Sequence, residues 1–293
     1  MYQKIKENQY DEICNLYLKQ KSSEKIAKLY NVDGCTICNI LKKKNIKLFN
    51  ETSRTDFFNQ NLFENGILNK ELAYILGLLY ADGCNTRESI RLSLQEEDKY
   101  ILEKIKKIFN KEKELIFIKK KKPHHKFRYD LALYSKKLSR DLKNLGMVEA
   151  KSLILKFPDY SIVPKEFMGA FIRGYFDGDG CVYISKKNKM EVSITSSPFF
   201  CEDISKYLFD TLNIKNNIRS YKNSNAKTVK IRNINDCKRF FDFIYKDKDD
   251  LFLIRKFTKF ALYFNDRENK LKIKENIKVL NIINEFINKD KKK

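Results

Sequence analysis

The sequence predicts an α+β protein: two pseudo-symmetric units of order αββαββα, each with an antiparallel sheet, preceded by a small all-α domain. Three observations predict it. The stretch LAYILGLLYADGC (72–84) returns as GAFIRGYFDGDGC (169–181). After each copy, apolar residues alternate at period two in short runs and recur at helical spacing in longer ones, in the same order. Before the first copy, residues 1–50 carry helical spacing only.

The N-terminal elements follow from three apolar bursts: Ile13, Leu16, Tyr17; then Ile26, Ala27, Leu29, Tyr30; then Ile37, Ile40, Leu41. Ser22 or Ser23 is placed to cap the second helix, Asp33-Gly34 to make the turn, and the third ends in Lys42, Lys43 and Lys44. The pattern resembles a helix-turn-helix, whose last helix would present Thr36, Asn39, Lys42 and Lys43 to bases and phosphates. A plain helical bundle with a solvated basic end gives the same spacing. Residues 51–69, rich in Asn and Thr with Gly66, read as a linker.

In the first unit (70–158) strands are expected near 89–95, 114–120 and 127–134, with helices near 98–109 and 136–145. In the second (159–265) strands are expected near 181–185, 190–195, 217–222 and 227–232, with helices near 198–212 and 234–245. Residues 266–293 read as a C-terminal helix and basic tail.

Composition supports a core and names a class of partner. Hydrophobic residues make up 42%, with 22 Phe and 16 Tyr supplying bulk in the absence of Trp. Sixty Lys and Arg against 38 Asp and Glu leave a net charge of +22, which suits a polyanion. No apolar run approaches the roughly 18 residues of a spanning helix and the N-terminus is no signal peptide, so nucleic acid is expected and a membrane is not. Seven scattered cysteines suit a reducing interior, the cytoplasm or an organellar matrix, better than a disulfide framework. Cys35 and Cys38 form C-x-x-C, but zinc needs a second ligand pair and the two histidines, His124 and His125, are distant and beside Pro123, in an expected hairpin turn.

In the repeated stretch Ala73, Gly77 and Ala81, and again Ala170, Gly174 and Gly178, recur every four positions, so each helix carries a stripe without bulk. Glycine inside a helix costs about 1 kcal/mol relative to alanine. Close packing of two helices is the plausible return. Each stripe ends in Asp-Gly, which puts Asp82 and Asp179 at helix C-termini, the unfavourable end of the macrodipole for a carboxylate. If the helices pack together the acids also repel, by about 4 kcal/mol at 4 Å and an effective dielectric of 20. A raised pKa or a bound cation relieves that cost.

ILGLLYADG (75–83) and IRGYFDGDG (172–180) resemble the paired motifs of LAGLIDADG homing endonucleases. The first copy departs at Tyr80, where the family commonly has an earlier aspartate, which puts packing in question more than catalysis. The resemblance covers about residues 70–265. It implies a single-chain monomer with internal pseudo-two-fold symmetry, whose motif helices form the interface of the two units and whose saddle-shaped sheets lie over double-stranded DNA. It implies Mg2+ or Mn2+ held by Asp82 and Asp179, with the carbonyls of Ala81 and Gly178 as further ligands, and hydrolysis of one phosphodiester per strand by metal-activated water. The family's basic residue near each active site would be Lys151 and Lys256, at matching places after the two units, and Gln95 at a strand end would hold solvent.

DNA contact is expected from strand faces: Arg87, Arg91, Lys119, Lys121 and Arg128 in the first unit; Lys186, Lys187, Arg219, Lys227, Lys230 and Arg232 in the second, interleaved with Tyr129, Tyr183 and Tyr221. Two readings on the same fold compete: a transcription regulator that binds DNA without cutting, and an RNA-splicing maturase. An intein is disfavoured, because the chain begins at Met1 and ends in lysines without a terminal His-Asn.

Overall fold

The computed structural model describes residues 5–20, 22–46, 57–119, 126–222 and 224–268. Lys121, His124, His125, the first part of the expected linker and residues 269–293 lie outside the described residues. By contacts the chain divides into Met1–Phe57 and Phe58–Lys293.

The first unit holds α1 (Tyr10–Gln20), α2 (Ser23–Leu29) and α3 (Gly34–Lys43). Their apolar faces meet in a core of Ile13, Tyr17, Ile26, Ala27, Val32, Ile37, Ile40 and Leu41, all but Val32 among the residues that set the helical spacing, whereas Leu29 of the same pattern is exposed. Ser22 caps α2 by accepting the Lys25 N–H. Asp33-Gly34 is not the turn: Asp33 accepts the Thr36 N–H at 2.8 Å and its hydroxyl at 3.1 Å as the N-cap of α3, and Asn31, at φ 51°, takes the left-handed turn position.

The second unit contains α4 (Lys70–Asp82), β1 (Gly83–Asn85), β2 (Ser89–Gln95), α5 (Lys99–Ile108), β3 (Ile116–Ile118), β4 (Arg128–Tyr134) and α6 (Lys136–Asn144). The order then repeats as α7 (Met168–Asp179), β5 (Gly180–Ile184), β6 (Met190–Ser196), α8 (Pro198–Leu212), β7 (Asn217–Ser220), β8 (Lys227–Ile231) and α9 (Ile234–Tyr245), and α10 (Ile254–Glu268) follows. The expected α+β class and its two units are the observed ones. The sheets are wholly antiparallel, of order β1-β2-β4-β3 and β5-β6-β8-β7.

Alternation explains which faces the sheets bury. Ile90, Leu92 and Leu94 of β2 and Val192 and Ile194 of β6 point into the core under the helices, which leaves Arg91, Ser93 and Gln95, and Ser193 and Thr195, on the opposite faces. Residues 58–69 do not behave as a linker. Phe63 and Ile67 are buried in the core of the second unit, Phe58 packs against it, and the Asn59 N–H donates to the Phe109 carbonyl. The Asn and Thr content of 51–69 masked these apolar anchors.

Of all element pairs, α4 and α7 share the most extensive contact. A Cβ added to Gly77 would lie 2.0 Å from the Phe171 carbonyl oxygen, and one added to Gly174 would lie 2.0 Å from that of Tyr74. The small-residue stripes therefore do what their spacing predicts: they let two backbones touch.

Candidate active site

The crossing of α4 and α7 brings their C-termini, and the acids there, to one place. A Cβ on Gly178 would stand 2.3 Å from the Ala81 Cβ and 3.0 Å from Asp82 Oδ2, so the Asp82 carboxylate lies against the end of the other motif helix. Asp82 is partly buried and Asp179 exposed. Desolvation and then the charge of Asp179 push the Asp82 carboxyl up to about 6, against the pull of Lys256, Arg128 and Lys151. Asp179 is also raised by desolvation, opposed by Lys151 and by a hydrogen bond from the Tyr175 hydroxyl. Among the described residues no protein donor bonds the Asp82 carboxylate.

Both expected lysines are at this place, and both are buried. Lys151 Nζ donates to the Ala81 carbonyl at 3.0 Å. Lys256 Nζ donates to the carbonyls of Phe176 (2.6 Å), Asp177 (2.7 Å), Gly178 (3.2 Å) and Gly180 (2.5 Å). Each ammonium caps the motif helix of its own half, which offsets the negative C-terminal dipole beside each acid. Burial lowers both lysines, Lys256 to about 8. The carbonyls of Ala81 and Gly178 thus carry a lysine ammonium, and a divalent cation on the same oxygen would meet a like charge about 3 Å away. Among the described residues no group of three or more His, Cys, Asp or Glu comes together to hold an ion.

Several residues of this region escaped the sequence reading. Asp177, at the position matched by Tyr80, is buried and accepts the Tyr74 hydroxyl and the Leu253 N–H, both at 2.8 Å. It ties α7 to α4 and to the segment that delivers Lys256. Tyr80 instead donates to the Leu145 carbonyl. Arg173, also buried, donates to the carbonyls of Leu251 and Ile244. Asp98 holds Arg255 in a two-pronged pair at 2.9 to 3.1 Å, and the Tyr100 hydroxyl accepts the Ile254 N–H at 2.7 Å, so the first half of the unit anchors the residues flanking Lys256. The only local signal was the earlier acid of DGD at 177.

A cavity of about 830 Å³ opens beside Asp82, with Gln95, Ser93, Arg91, Arg128, Asp130, Lys119 and Lys126 in its walls. Gln95 and Asp82 line the same cavity. Asp130 is buried in this basic wall, accepting the Ser93 hydroxyl at 2.6 Å and facing Arg91 Nε at 3.7 Å.

Of the other basic candidates, Lys186, Lys187 and Arg219 are exposed, Lys186 and Lys187 in the β5–β6 turn. Arg87 faces Glu149 at 3.8 Å, Lys227 pairs with Glu202, and Lys230 and Arg232 share Glu191. The Arg87–Glu149 and Lys227–Glu202 pairs are solvent-exposed enough to contribute about 0–1 kcal/mol, little enough for a phosphate to displace, whereas the Lys230–Glu191 pair is half-buried. In the N-terminal unit Asn39, Lys42 and Lys43 are exposed on α3, while the Thr36 hydroxyl is engaged by Asp33.

Among the described residues no helix is long and apolar enough to cross a membrane. The family model described as a LAGLIDADG-like domain matches residues 166–246. A probable translation initiation factor IF-2 of Methanocaldococcus jannaschii is 29% identical over 217 residues, which are 69% of this chain but 18% of that protein, so the chain spans less than a fifth of its length. Similar solved structures include the I-LtrWI LAGLIDADG homing endonuclease bound to target DNA (14% identity, 72% of this chain and 97% of that one, TM-score 0.44). Another is full-length DUF199/WhiA from Thermatoga maritima (20% identity, 77% of this chain and 72% of that one, TM-score 0.44). The matched residues hold the second motif helix, α7, whose small-residue stripe and terminal Asp-Gly recur in α4, so the chain carries a LAGLIDADG-like domain over residues 166–246.

Proposed function

We propose that this protein is a site-specific DNA endonuclease that hydrolyses one phosphodiester in each strand of a duplex. One observation carries the reading: two aspartates are brought together at adjoining helix C-termini, each beside a buried lysine, at a cost in desolvation and like-charge repulsion that a bound cation relieves. The residues fit a hard divalent ion such as magnesium or manganese, with Asp82 and Asp179 as protein ligands and water or phosphate oxygens completing the shell. When bound, the ion supplies a nucleophilic water and offsets charge on the phosphate. Lys151 and Lys256 keep the acids ionised and the helix ends neutral, and the basic outer faces of the strands, with Arg91 and Arg128 in the first half and Lys230 and Arg232 in the second, grip the backbone.

The test is cleavage-site selection from a random plasmid library in magnesium. A single recovered site, cut in both strands, supports the reading; tight binding without any cut replaces it with the regulator. RNA-dependent splicing without DNA cleavage points to the maturase.

The charge of +22 predicts binding that weakens steeply with salt, because neutralising Z phosphates gives log K a slope of about −0.9Z against log salt. A titration of affinity between low and moderate salt is expected to give a slope steeper than about −4. A slope shallower than about −2 would mean the basic faces do not meet DNA.

The N-terminal helices are proposed as a second reader that adds affinity and target length without chemistry. A fragment of residues 58–293, which keeps Phe58, Phe63 and Ile67 with the core they complete, is expected to cut the central site while binding more weakly and protecting a shorter stretch. Equal footprints and affinities for fragment and full chain would remove the reader role.

A further inference from the structure

The lysine beside each acid arrives on a segment fastened to the opposite half. Lys256 serves the second half, where its ammonium sits on the carbonyls at the end of α7. Arg173 and Asp177 bring its segment near by bonding the Leu251 carbonyl and the Leu253 N–H. The residues next to the lysine, however, are held by the start of α5, in the first half. Asp98, immediately before α5 and 2% exposed, takes the Arg255 guanidinium at 2.9 to 3.1 Å. The Tyr100 hydroxyl accepts the Ile254 N–H at 2.7 Å and donates to the Phe252 carbonyl at 3.1 Å. One turn further along α5, Lys104 Nζ donates to the Asp250 carbonyl at 2.7 Å.

Lys151 shows the converse. It serves the first half, donating to the Ala81 carbonyl at the end of α4. Its own carbonyl accepts the Leu155 N–H at 2.8 Å, and the Leu155 carbonyl in turn accepts the hydroxyl of Ser197. Ser197 is fully buried and stands immediately before α8, in the second half. Since β2 leads into α5 as β6 leads into α8, the same point of each half fastens the lysine of the other.

A lysine side chain is long and flexible, and its ammonium is tolerated in a buried place only on well-placed acceptors. The acceptors are fixed by α4 and α7. Whether each ammonium reaches them is therefore decided by where the backbone at 151 and at 256 is held. We infer that the two halves depend on each other for their active ends: Asp98 and Tyr100 are positioning residues for Lys256, and Ser197 is one for Lys151. What the seated lysines do for cleavage rests on the nuclease reading, whereas the crosswise seating does not.

The experiment uses the full-length protein and two readouts. Brief acylation with acetic anhydride, followed by peptide mass spectrometry, reports how open each lysine is, with surface lysines as the reference. Asp98→Asn and the milder Tyr100→Phe are expected to raise labelling of Lys256 severalfold and leave Lys151 unchanged; Ser197→Ala is expected to do the reverse. General loosening exposes both lysines alike, so the crosswise pattern separates seating from partial unfolding. Ser197→Ala also removes the cap on the Phe200 N–H, so if it fails to fold Tyr100→Phe, which keeps ring and charge, decides. The second readout is single-turnover cleavage, in magnesium, of the site recovered by selection. Asp98→Asn is expected to cut about tenfold or more slowly at unchanged DNA affinity, the scale of a small misplacement of a catalytic group. In Lys256→Met protein the same substitution should add nothing, because its effect runs through the lysine. Tyr100→Phe labelling that rises at Lys151, at both lysines alike or at neither overturns the inference. So does slowing by Asp98→Asn that persists in Lys256→Met protein. Crosswise labelling with no cut by the wild type leaves the seating standing and removes the nuclease reading.

Discussion

Asp82→Asn and Asp179→Asn are each expected to abolish double-strand cleavage while leaving DNA affinity within a few-fold of the wild type. The substitution keeps the size of the side chain and removes the charge a divalent ion needs. Loss of the ion forfeits several kcal/mol of transition-state stabilisation, and at about 1.4 kcal/mol per factor of ten the rate falls by roughly a thousandfold or more. Affinity is expected to survive because, on the proposed reading, Arg91, Arg128, Lys230, Arg232 and their neighbours grip the phosphates and the acids do not. Stability supplies a second readout that does not depend on activity. The Asp82 carboxyl is raised above its usual 3.8 to about 6, so its ionised form is penalised in the folded protein. Native stability is therefore lost as pH rises between those values, and Asp82→Asn does not share the loss. Without metal, the variant should be more stable than the wild type by about 3 kcal/mol at pH 8 and no more stable at pH 3, where both forms are uncharged. Wild-type cutting rates from both variants in magnesium would end the assignment of the acids.

The residues behind this prediction were legible in the sequence because their signal is local. Asp82 and Asp179 end two helices with the same small-residue stripe, and the 97-residue offset is visible without any contact information. The strands were legible for a related reason: Ile90, Leu92 and Leu94 alternate with polar residues, and β2 runs over the expected 89–95. What was not legible depends on contacts between distant parts of the chain. Asp98 meets Arg255, Tyr74 meets Asp177, and Asp177 in turn meets the Leu253 N–H; nothing within a window of either partner announces the other. Residues 58–69 failed differently, since two or three apolar anchors in a polar stretch leave no periodicity to detect. Asp130 lay between, an acid on the outer face of a basic strand whose partner Ser93 emerges only from the register.

Gly77→Ala and Gly174→Ala, each a methyl group in place of a hydrogen, are expected to destabilise the second unit. By helix propensity alone each change should help, by about 1 kcal/mol. Packing reverses the sign. The new Cβ of Gly77→Ala would lie 2.0 Å from the Phe171 carbonyl oxygen and 2.8 Å from the Tyr175 nitrogen; that of Gly174→Ala would lie 2.0 Å from the Tyr74 oxygen and 2.9 Å from the Leu78 nitrogen. All four are backbone atoms, so no side chain can swing aside and the helices themselves must separate. Overpacking of this kind costs about 1–3 kcal/mol and more where backbone must move, which leaves a net loss of about 2 kcal/mol after the propensity gain. For a unit of this size that is a fall of about 4–8 °C in melting temperature. Separating α4 from α7 also moves Asp82 from the end of α7, so cleavage should fall further than stability. Gly34→Ala is the control. It lies in the first turn of α3 with only the Glu24 Cγ, at 3.9 Å, near its added Cβ, and should melt no earlier than the wild type. If Gly77→Ala and Gly174→Ala melt like the wild type, the motif helices are not held together by backbone contact, and the convergence of the two acids needs another cause.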